Sequence, residues 1–400
     1  MKRLTLLLLG LALGVSATAN AQGLTMQMSN GWSFQFSGNV NAFWVFTKQT
    51  NSGPTFSSVR TGLLPAFATF EARGKEAGLN LAVHFGFAPQ IQNGLPAGAA
   101  AGGPTHDQFG TQIDMRQVYL TIGFKDGSQI LAGRELSLFG RQNILNDMTL
   151  FGVGAVGVGG NGGGGTTLGR IGYGYIYPNF NAQITYSTKP GEAQLSVGLF
   201  QPSVLEGNGN FIYTRIPRVE AEFTYNQKSG KNTYGIWVGG LWQSTSDSVT
   251  GGKSASSFGG TAGVKVNASD LTVTVTGYIG KGLGTLLMFS PVAGGPVSTG
   301  GTELRTSDGG YAQLMYKVAP KTNLGVSWGF SRLKNNSATV GTGGDGNSAV
   351  RTQFTLTTVG VYHQWTKSLK WVLEGSREQQ GIGAGAPAQI DISSGFMLFY

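Results

Sequence analysis

Apolar and polar residues alternate with period two through most of this chain. In "GWSFQFSGNVNAFWVF" (31–46), Trp32, Phe34, Phe36, Gly38, Val40, Ala42, Trp44 and Phe46 fall on one side. Ser33, Gln35, Ser37, Asn39 and Asn41 fall on the other, and Phe43 and Val45 complete that second face. The pattern recurs with Leu79, Leu81, Val83, Phe85 and Phe87, with Val219, Ala221, Phe223 and Tyr225, with Leu271, Val273 and Val275, and with Leu324, Val326, Trp328 and Phe330. Successive side chains of a strand point to opposite faces, so this period predicts strands with two unlike sides. No helical period of comparable length is present.

The connections between these segments are of two kinds, and they take turns. Short ones are "GKEAG" (74–78), "KDGS" (125–128), "TKPGE" (188–192), "NQKSGKN" (226–232), "NASD" (267–270), "APKT" (319–322) and "TKS" (366–368). Long ones, rich in Gly, Ser, Asn and Thr, lie near 47–59, 88–110, 136–168, 202–215, 244–257, 282–308, 333–350 and 379–390. Short turns at one end and long loops at the other mark a transmembrane β-barrel. Reading "PN" (178–179) as a turn gives an odd strand count and two adjacent short turns. Reading 169–187 as one strand, with a bulge where the apolar phase switches at Pro178, gives about sixteen strands, an even number as such barrels require.

The apolar face could meet a protein core or lipid. Charged residues make up 12% of the chain, about half the usual share for soluble domains. A soluble sandwich would need a second sheet over every apolar face and would leave open edges. In hydrocarbon every backbone N–H and C=O must be paired internally, which leaves helices and closed barrels. The start "MKRLTLLLLGLALGVSATANAQ" has a basic beginning at Lys2 and Arg3, an apolar stretch from Leu4 to Val15, and an A-x-A pattern at Ala19–Ala21. It reads as a secretory signal peptide over residues 1–21, with 22–400 as one barrel. That apolar run falls short of the roughly 20 residues a bilayer-spanning helix needs. Together these features predict an all-β, antiparallel transmembrane barrel with lipid outside and a polar lumen. In "DISSGFMLFY" (391–400), Ile392, Phe396, Leu398 and Tyr400 share one face, and the chain stops on an aromatic ring. Trp32, Tyr225, Trp242, Trp328, Tyr362, Trp371 and Tyr400 are candidates for the interfacial aromatic girdles.

Few residues suggest chemistry. There are no cysteines, hence no disulfide framework and no thiolate metal site. His84, His106 and His363 are far apart and form no zinc spacing. His84 and His363 could face the lumen, but no Ser/His/acid pattern accompanies them. "GVGAVG" (152–157) matches G-x-G-x-x-G but lies in a glycine tract without the acid that a dinucleotide site needs. No catalytic residue, cofactor or metal is expected. Loss of the signal would leave 26 basic and 19 acidic side chains, a net charge of +7. No block of five Lys or Arg is present, so a nucleic-acid partner is not expected, and anionic solutes are the better match for the excess.

Several stretches resemble Gram-negative general porins. "ARGKEAGLNLAVHF" (72–85) is similar to their charged turn followed by a Gly-Leu strand. "DMRQVYLTIGFKDGSQILAGRE" (114–135) resembles the two strands before their constriction loop, and "PRVEAEFTY" (217–225) resembles a strand of related solute-channel porins. The resemblance covers roughly a quarter of the chain, with the architecture throughout. It implies a homotrimer of sixteen-stranded barrels in the bacterial outer membrane, in contact with its lipid and lipopolysaccharide. Each barrel would have a third loop folded into the lumen, here about 136–168; within it, the residues of "LFGRQNILNDM" themselves read as a short helix. The resemblance also implies wall arginines at Arg73, Arg116 and Arg134, faced by Glu135 and Asp147. Arg116 shares parity with residues that should face lipid, so either a bulge lies beside it or it sits at the outer rim. By parity, Glu71, Arg170, Arg218, Glu220, Glu222, Lys265, Lys317, Arg351, Lys370 and Glu374 are further inward candidates. The implied function is passive passage of small hydrophilic solutes and ions. The alternatives are a channel specific for phosphate or organic acids, or a non-conducting surface barrel acting as adhesin or receptor.

Overall fold

Nineteen strand segments form one antiparallel sheet that closes on itself. The computed structural model describes residues 23–29, 31–50, 53, 55–91, 113–157, 166–205, 211–247, 254–290, 296, 304–334, 352–381 and 387–400. The signal-peptide reading, His106 and Arg351 lie outside the described residues. In chain order the segments are β1 (Leu24–Gln27), β2 (Ser33–Gln49), β3 (Thr55–Arg60), β4 (Phe67–Glu76), β5 (Leu79–Pro89), β6 (Ile113–Gly123) and β7 (Gln129–Leu136). A one-turn helix α1 (Arg141–Leu145) and a 3-10 turn (Met148–Phe151) follow. Then come β8 (Phe180–Ser187), β9 (Ala193–Phe200), β10 (Phe211–Tyr213), β11 (Arg218–Ser229), β12 (Asn232–Asp247), β13 (Ser254–Ala268), β14 (Leu271–Lys281), β15 (Thr306–Ala319), β16 (Thr322–Leu333), β17 (Thr352–Gln364), β18 (Leu369–Gln380) and β19 (Ala388–Phe399).

The barrel has sixteen staves, because three staves are each built from two segments. β3 and β4 both pair with the same edge of β2, separated by residues 61–66, which turn inward. β10 and β11 both pair with β12. β1 pairs with the first residues of β2 and β19 with the rest, so Leu24–Gln27 and Ala388–Phe399 share a stave. Tyr400 closes this seam: its N–H donates to Gly38 O at 3.1 Å, and Gly38 N–H donates to Tyr400 O at 3.0 Å. With β2 paired to β4 on one side and β19 on the other, no strand edge is left free at the seam.

The exterior of this barrel is apolar and its interior polar, the reverse of a water-soluble barrel. Val40, Leu120, Ile184, Val238, Val275, Val326, Val359 and Ile392 are exposed on the outside. Asn41, Thr274, Gln313, Ser327, Thr358 and Ser376 point inward and are buried. Among the described residues no helix is long and apolar enough to cross a membrane, which says nothing of strands. Of the girdle candidates, Trp242 and Trp328 are exposed on the outside. Tyr362 is not: it is buried inside, and its hydroxyl donates to Glu374 at 2.7 Å.

One strand expectation is overturned. Residues 169–179 are not the first half of a strand bulged at Pro178. They form a chain of turns inside the barrel, and β8 begins only at Phe180. Gly169 and Gly172 adopt positive φ of 54° and 79°, and Asn179 one of 62°. These left-handed positions bend the segment, and the apolar alternation of Ile171, Tyr173 and Tyr175 then serves an internal cluster instead of lipid. The stave count is unchanged, since this return limb belongs to the third loop.

Candidate functional site: the third loop and the passage beside it

The described residues of the third loop cross the lumen and are tied to the opposite wall at several points. The loop's helix α1 starts after Gly140, whose φ of 81° suits glycine. One turn has little intrinsic stability, so tertiary bonds hold it. The Asn143 side chain is the hub. Its amide donates to Thr261 Oγ1 at 2.9 Å, and its carbonyl oxygen accepts from Trp237 Nε1 and Thr276 Oγ1, each at 2.8 Å. The Asn143 backbone oxygen accepts from the Tyr311 hydroxyl at 2.7 Å. Four neighbouring staves therefore grip one residue. Further along, Gln313 accepts from Met148 N–H and donates to Asn146 O.

Wall glutamates accept from backbone and side-chain donors of the loop. Glu220 accepts from Phe139 N–H at 2.8 Å. Glu222 accepts from Arg141 Nη2 at 2.6 Å and from Gln142. Glu374 accepts from Val153 and Gly154 N–H at 2.9 and 2.8 Å. Glu378 accepts from Val156 N–H at 2.5 Å and from the Tyr173 hydroxyl at 2.7 Å. A buried carboxylate is costly unless it is paired or accepts several hydrogen bonds: Glu222, Glu374 and Glu378 accept two or more, and Glu220 is also ion-paired with Arg218 at 2.8 Å. The inward segment 61–66 adds two backbone bonds, from Leu63 N–H to Gly152 O and from Leu64 N–H to Leu150 O. Phe43 and Val45, the two apolar residues on the polar face of β2, are buried against this loop.

The side left open lies along β2 and β4–β7. A cavity of about 490 Å³ separates the loop from these staves. On the wall side a hydrogen-bonded chain crosses four strands. Arg73 pairs with Glu71, and Glu71 Oε2 lies 3.1 Å from His84 Nδ1. His84 Nε2 lies 3.4 Å from Gln117 Oε1, and Gln117 Nε2 donates to Glu135 Oε2 at 2.7 Å. The second Glu135 oxygen accepts from Leu136 N–H at 2.7 Å. The His84 ring stacks on Tyr119 with centroids 4.7 Å apart. On the loop side the cavity is bounded by Ile144, Leu150, Phe151 and Leu168.

The constriction candidates Arg73, Arg116, Arg134, Glu135 and Asp147, with Arg170 as the sixth, separate into four groups. Arg116 and Glu135 line the cavity. A bulge answers the parity question: Gly86 pairs with Gln117 and Phe87 with Met115, so Arg116 is the extra residue and is turned inward. There it lies 5.8 Å from the Phe180 ring and 3.4 Å from the Tyr177 hydroxyl. Arg73 sits on the polar face beside Glu71, half-exposed and outside the cavity lining. Arg134 is exposed on the outer face, level with Val118 and Ala182, opposite in parity to Glu135.

Asp147 and Arg170 are not opposed across a passage but knotted within the loop. Asp147 accepts from Thr149 N–H and Oγ1–H, from Tyr175 OH at 2.9 Å and from Arg170 N–H at 3.1 Å. The Arg170 guanidinium, fully buried, donates to Leu356 O at 3.2 Å and to Ser327 Oγ. Burial pushes the Asp147 carboxyl above the usual carboxylate range, and the Arg170 charge opposes this. Of the other inward candidates, Arg218, Glu220, Glu222, Lys265 and Glu374 face inward, whereas Lys317 is exposed. Glu378 was legible by parity from Glu374, four residues earlier. Asn143 carried no signal beyond its place in the short helix.

The architecture is similar to that of solved outer-membrane channels. It aligns with the outer membrane channel DcaP of Acinetobacter baumannii at a TM-score of 0.66 and 12% identity, over 94% of this chain and 99% of the other. The Salmonella typhi OmpF structure, a complex with daunomycin, aligns at 0.57 and 9% identity, over 94% and 100%. Pseudomonas putida OprB aligns at 0.57 and 11% identity, over 92% and 94%. The fold is thus that of porin-like outer-membrane barrels. No protein-family model matches the sequence, and no curated protein matches it.

Proposed function

We propose that this chain is an outer-membrane porin, exported by its signal peptide, that lets small hydrophilic solutes and ions diffuse down their gradients. The observation that carries the reading is the third loop's position: it is fastened to one side of the lumen and leaves a 490 Å³ cavity along the other. Selectivity then comes from the width of that cavity and the charges beside it. The exposed apolar belt supports a barrel seated in lipid, and the likeness to solved channels supports the same location. The homotrimer and the contact with lipopolysaccharide rest on the porin resemblance. The net positive charge favours anions over cations.

Reconstitution of the purified full chain in planar bilayers tests this. Stepwise single-channel conductance is expected, with a reversal potential in a salt gradient that reports anion preference. Absence of conductance would sink the channel reading, and a cation-selective reversal potential would sink the charge assignment.

A further inference from the structure

Building on the channel reading, we propose that the cavity is a binding site for amphipathic organic anions, a carboxylate carried on an apolar ring or short chain. Its volume of about 490 Å³ lies within the range of small-molecule sites. Its two sides are unlike. The loop side is a shelf of Leu150, Phe151 and Leu168, continued by Leu63 of the inward segment, which a fully hydrophilic solute cannot use. An apolar ring displaces water from such a shelf with a gain in free energy.

The opposite side presents donors. Arg116 is the one Lys or Arg among the described lining residues. Its Nε donates to Asp114 at 2.8 Å and Nη1 reaches Tyr177, while Nη2 makes no hydrogen bond among the described residues. On the loop side, beside Leu168, the Thr167 hydroxyl lines the cavity and is buried with no hydrogen-bond partner among the described residues. A buried polar group left unpaired is costly, and a ligand oxygen relieves it. The acids nearby are already engaged. Both oxygens of Glu135 accept protein N–H groups, and Glu71 is held by Arg73 and His84. Asp114 is half-exposed and lies outside the lining. Behind the shelf, Lys370 Nζ lies 4.0 Å from the Phe151 ring centroid, a second positive charge on that side. A carboxylate at Arg116 and an apolar body on Phe151 therefore fit one molecule across the cavity.

The test is titration calorimetry of the detergent-solubilised full chain with benzoate, acetate, benzyl alcohol and benzylamine, alongside bilayer recordings with the same four. Benzoate is expected to bind at least tenfold more tightly than acetate, benzyl alcohol or benzylamine, and to interrupt the ion current. Arg116→Gln should remove the preference for benzoate over benzyl alcohol, and Phe151→Ser the preference for benzoate over acetate. The wild-type series needs no variant, so a variant that fails to fold leaves the test intact. Equal binding of benzoate and acetate, or of benzoate and benzylamine, overturns the proposal even in a conducting channel. Benzoate binding by a barrel that passes no current keeps the proposal and overturns the channel reading.

Discussion

The Glu374 carboxylate lies 2.8 Å from the backbone nitrogen of Gly154, joining the penultimate stave to the middle of the third loop. The same oxygen accepts from Val153, and the other accepts from Tyr362. Hydrogen bonds to a charged group contribute roughly 1.5–3 kcal/mol each. Glu374→Ala removes them together and should release this limb of the loop. The expected outcome is a larger and noisier single-channel current, with faster proteolysis between residues 150 and 157. Gly152→Ala should act in the same direction, because a Cβ there collides with the Glu374 carboxylate. Currents indistinguishable from wild type in both variants would show that the latch does not hold the loop.

Asp147→Ala should be the most damaging change within the loop. It strips the partners from Thr149, Tyr175 and the backbone of Arg170 while the guanidinium stays buried. Hydrogen bonds to a charged group contribute roughly 1.5–3 kcal/mol each, and Asp147 accepts four of them. The bonds Asp147 accepts all come from loop residues and none from the strand ladder, so a folded barrel with an altered loop is expected. Circular dichroism should keep its β signal while loop proteolysis and conductance change. Wild-type protease resistance of the loop would contradict this role.

The outer surface makes a separate prediction. Val238 is 51% exposed on the apolar exterior of β12. An arginine on the lipid face of a barrel costs about 2–4 kcal/mol near the membrane midplane. Val238→Arg should lower the stability of barrels folded into lipid vesicles by that amount, measured by urea unfolding. The inward neighbour on the same strand, Trp237, is buried against the loop through its bond to Asn143. An unchanged unfolding midpoint for Val238→Arg would argue that this face does not meet hydrocarbon.

Period two carried the barrel because the fold depends on it at every stave: a strand slipped by one residue exchanges its faces. The short turns at 125–128 and 267–270, and the seam at Tyr400, follow from that rule and from local turn chemistry. Two places did not obey it. Around Pro178 the alternation of Ile171, Tyr173 and Tyr175 belongs to turns packed inside the barrel, and a buried apolar row looks the same whether lipid or protein covers it. At Arg116 parity alone pointed outward, and the bulge that reverses it depends on the pairing of Gly86 and Phe87 across the sheet. The candidate site was legible as a region, with Arg116, Glu135 and an inward loop. Its chemistry was not, since the partners of Asp147 and Glu374 lie on segments distant in sequence.

Removal of Tyr400 should slow barrel formation. The residue supplies two backbone bonds to Gly38, and its ring lies 5.1 Å from that of Phe36. Each backbone bond contributes about 1 kcal/mol, and their loss falls at the joint where the sheet closes. A chain ending at Phe399 should show a slower shift from the unfolded to the compact band on cold gel electrophoresis after folding into detergent. Identical folding kinetics would remove the seam from the assembly pathway.

Because Leu24 and Tyr400 lie on one stave, this barrel is a ring with a single joint, and the joint lies in its wall instead of in a loop. A short covalent bridge from Tyr400 to Gly23 would turn that stave into one continuous strand. New chain ends could then be opened at the exposed turn at Gly230 and Lys231, giving a circularly permuted barrel with its wall undisturbed.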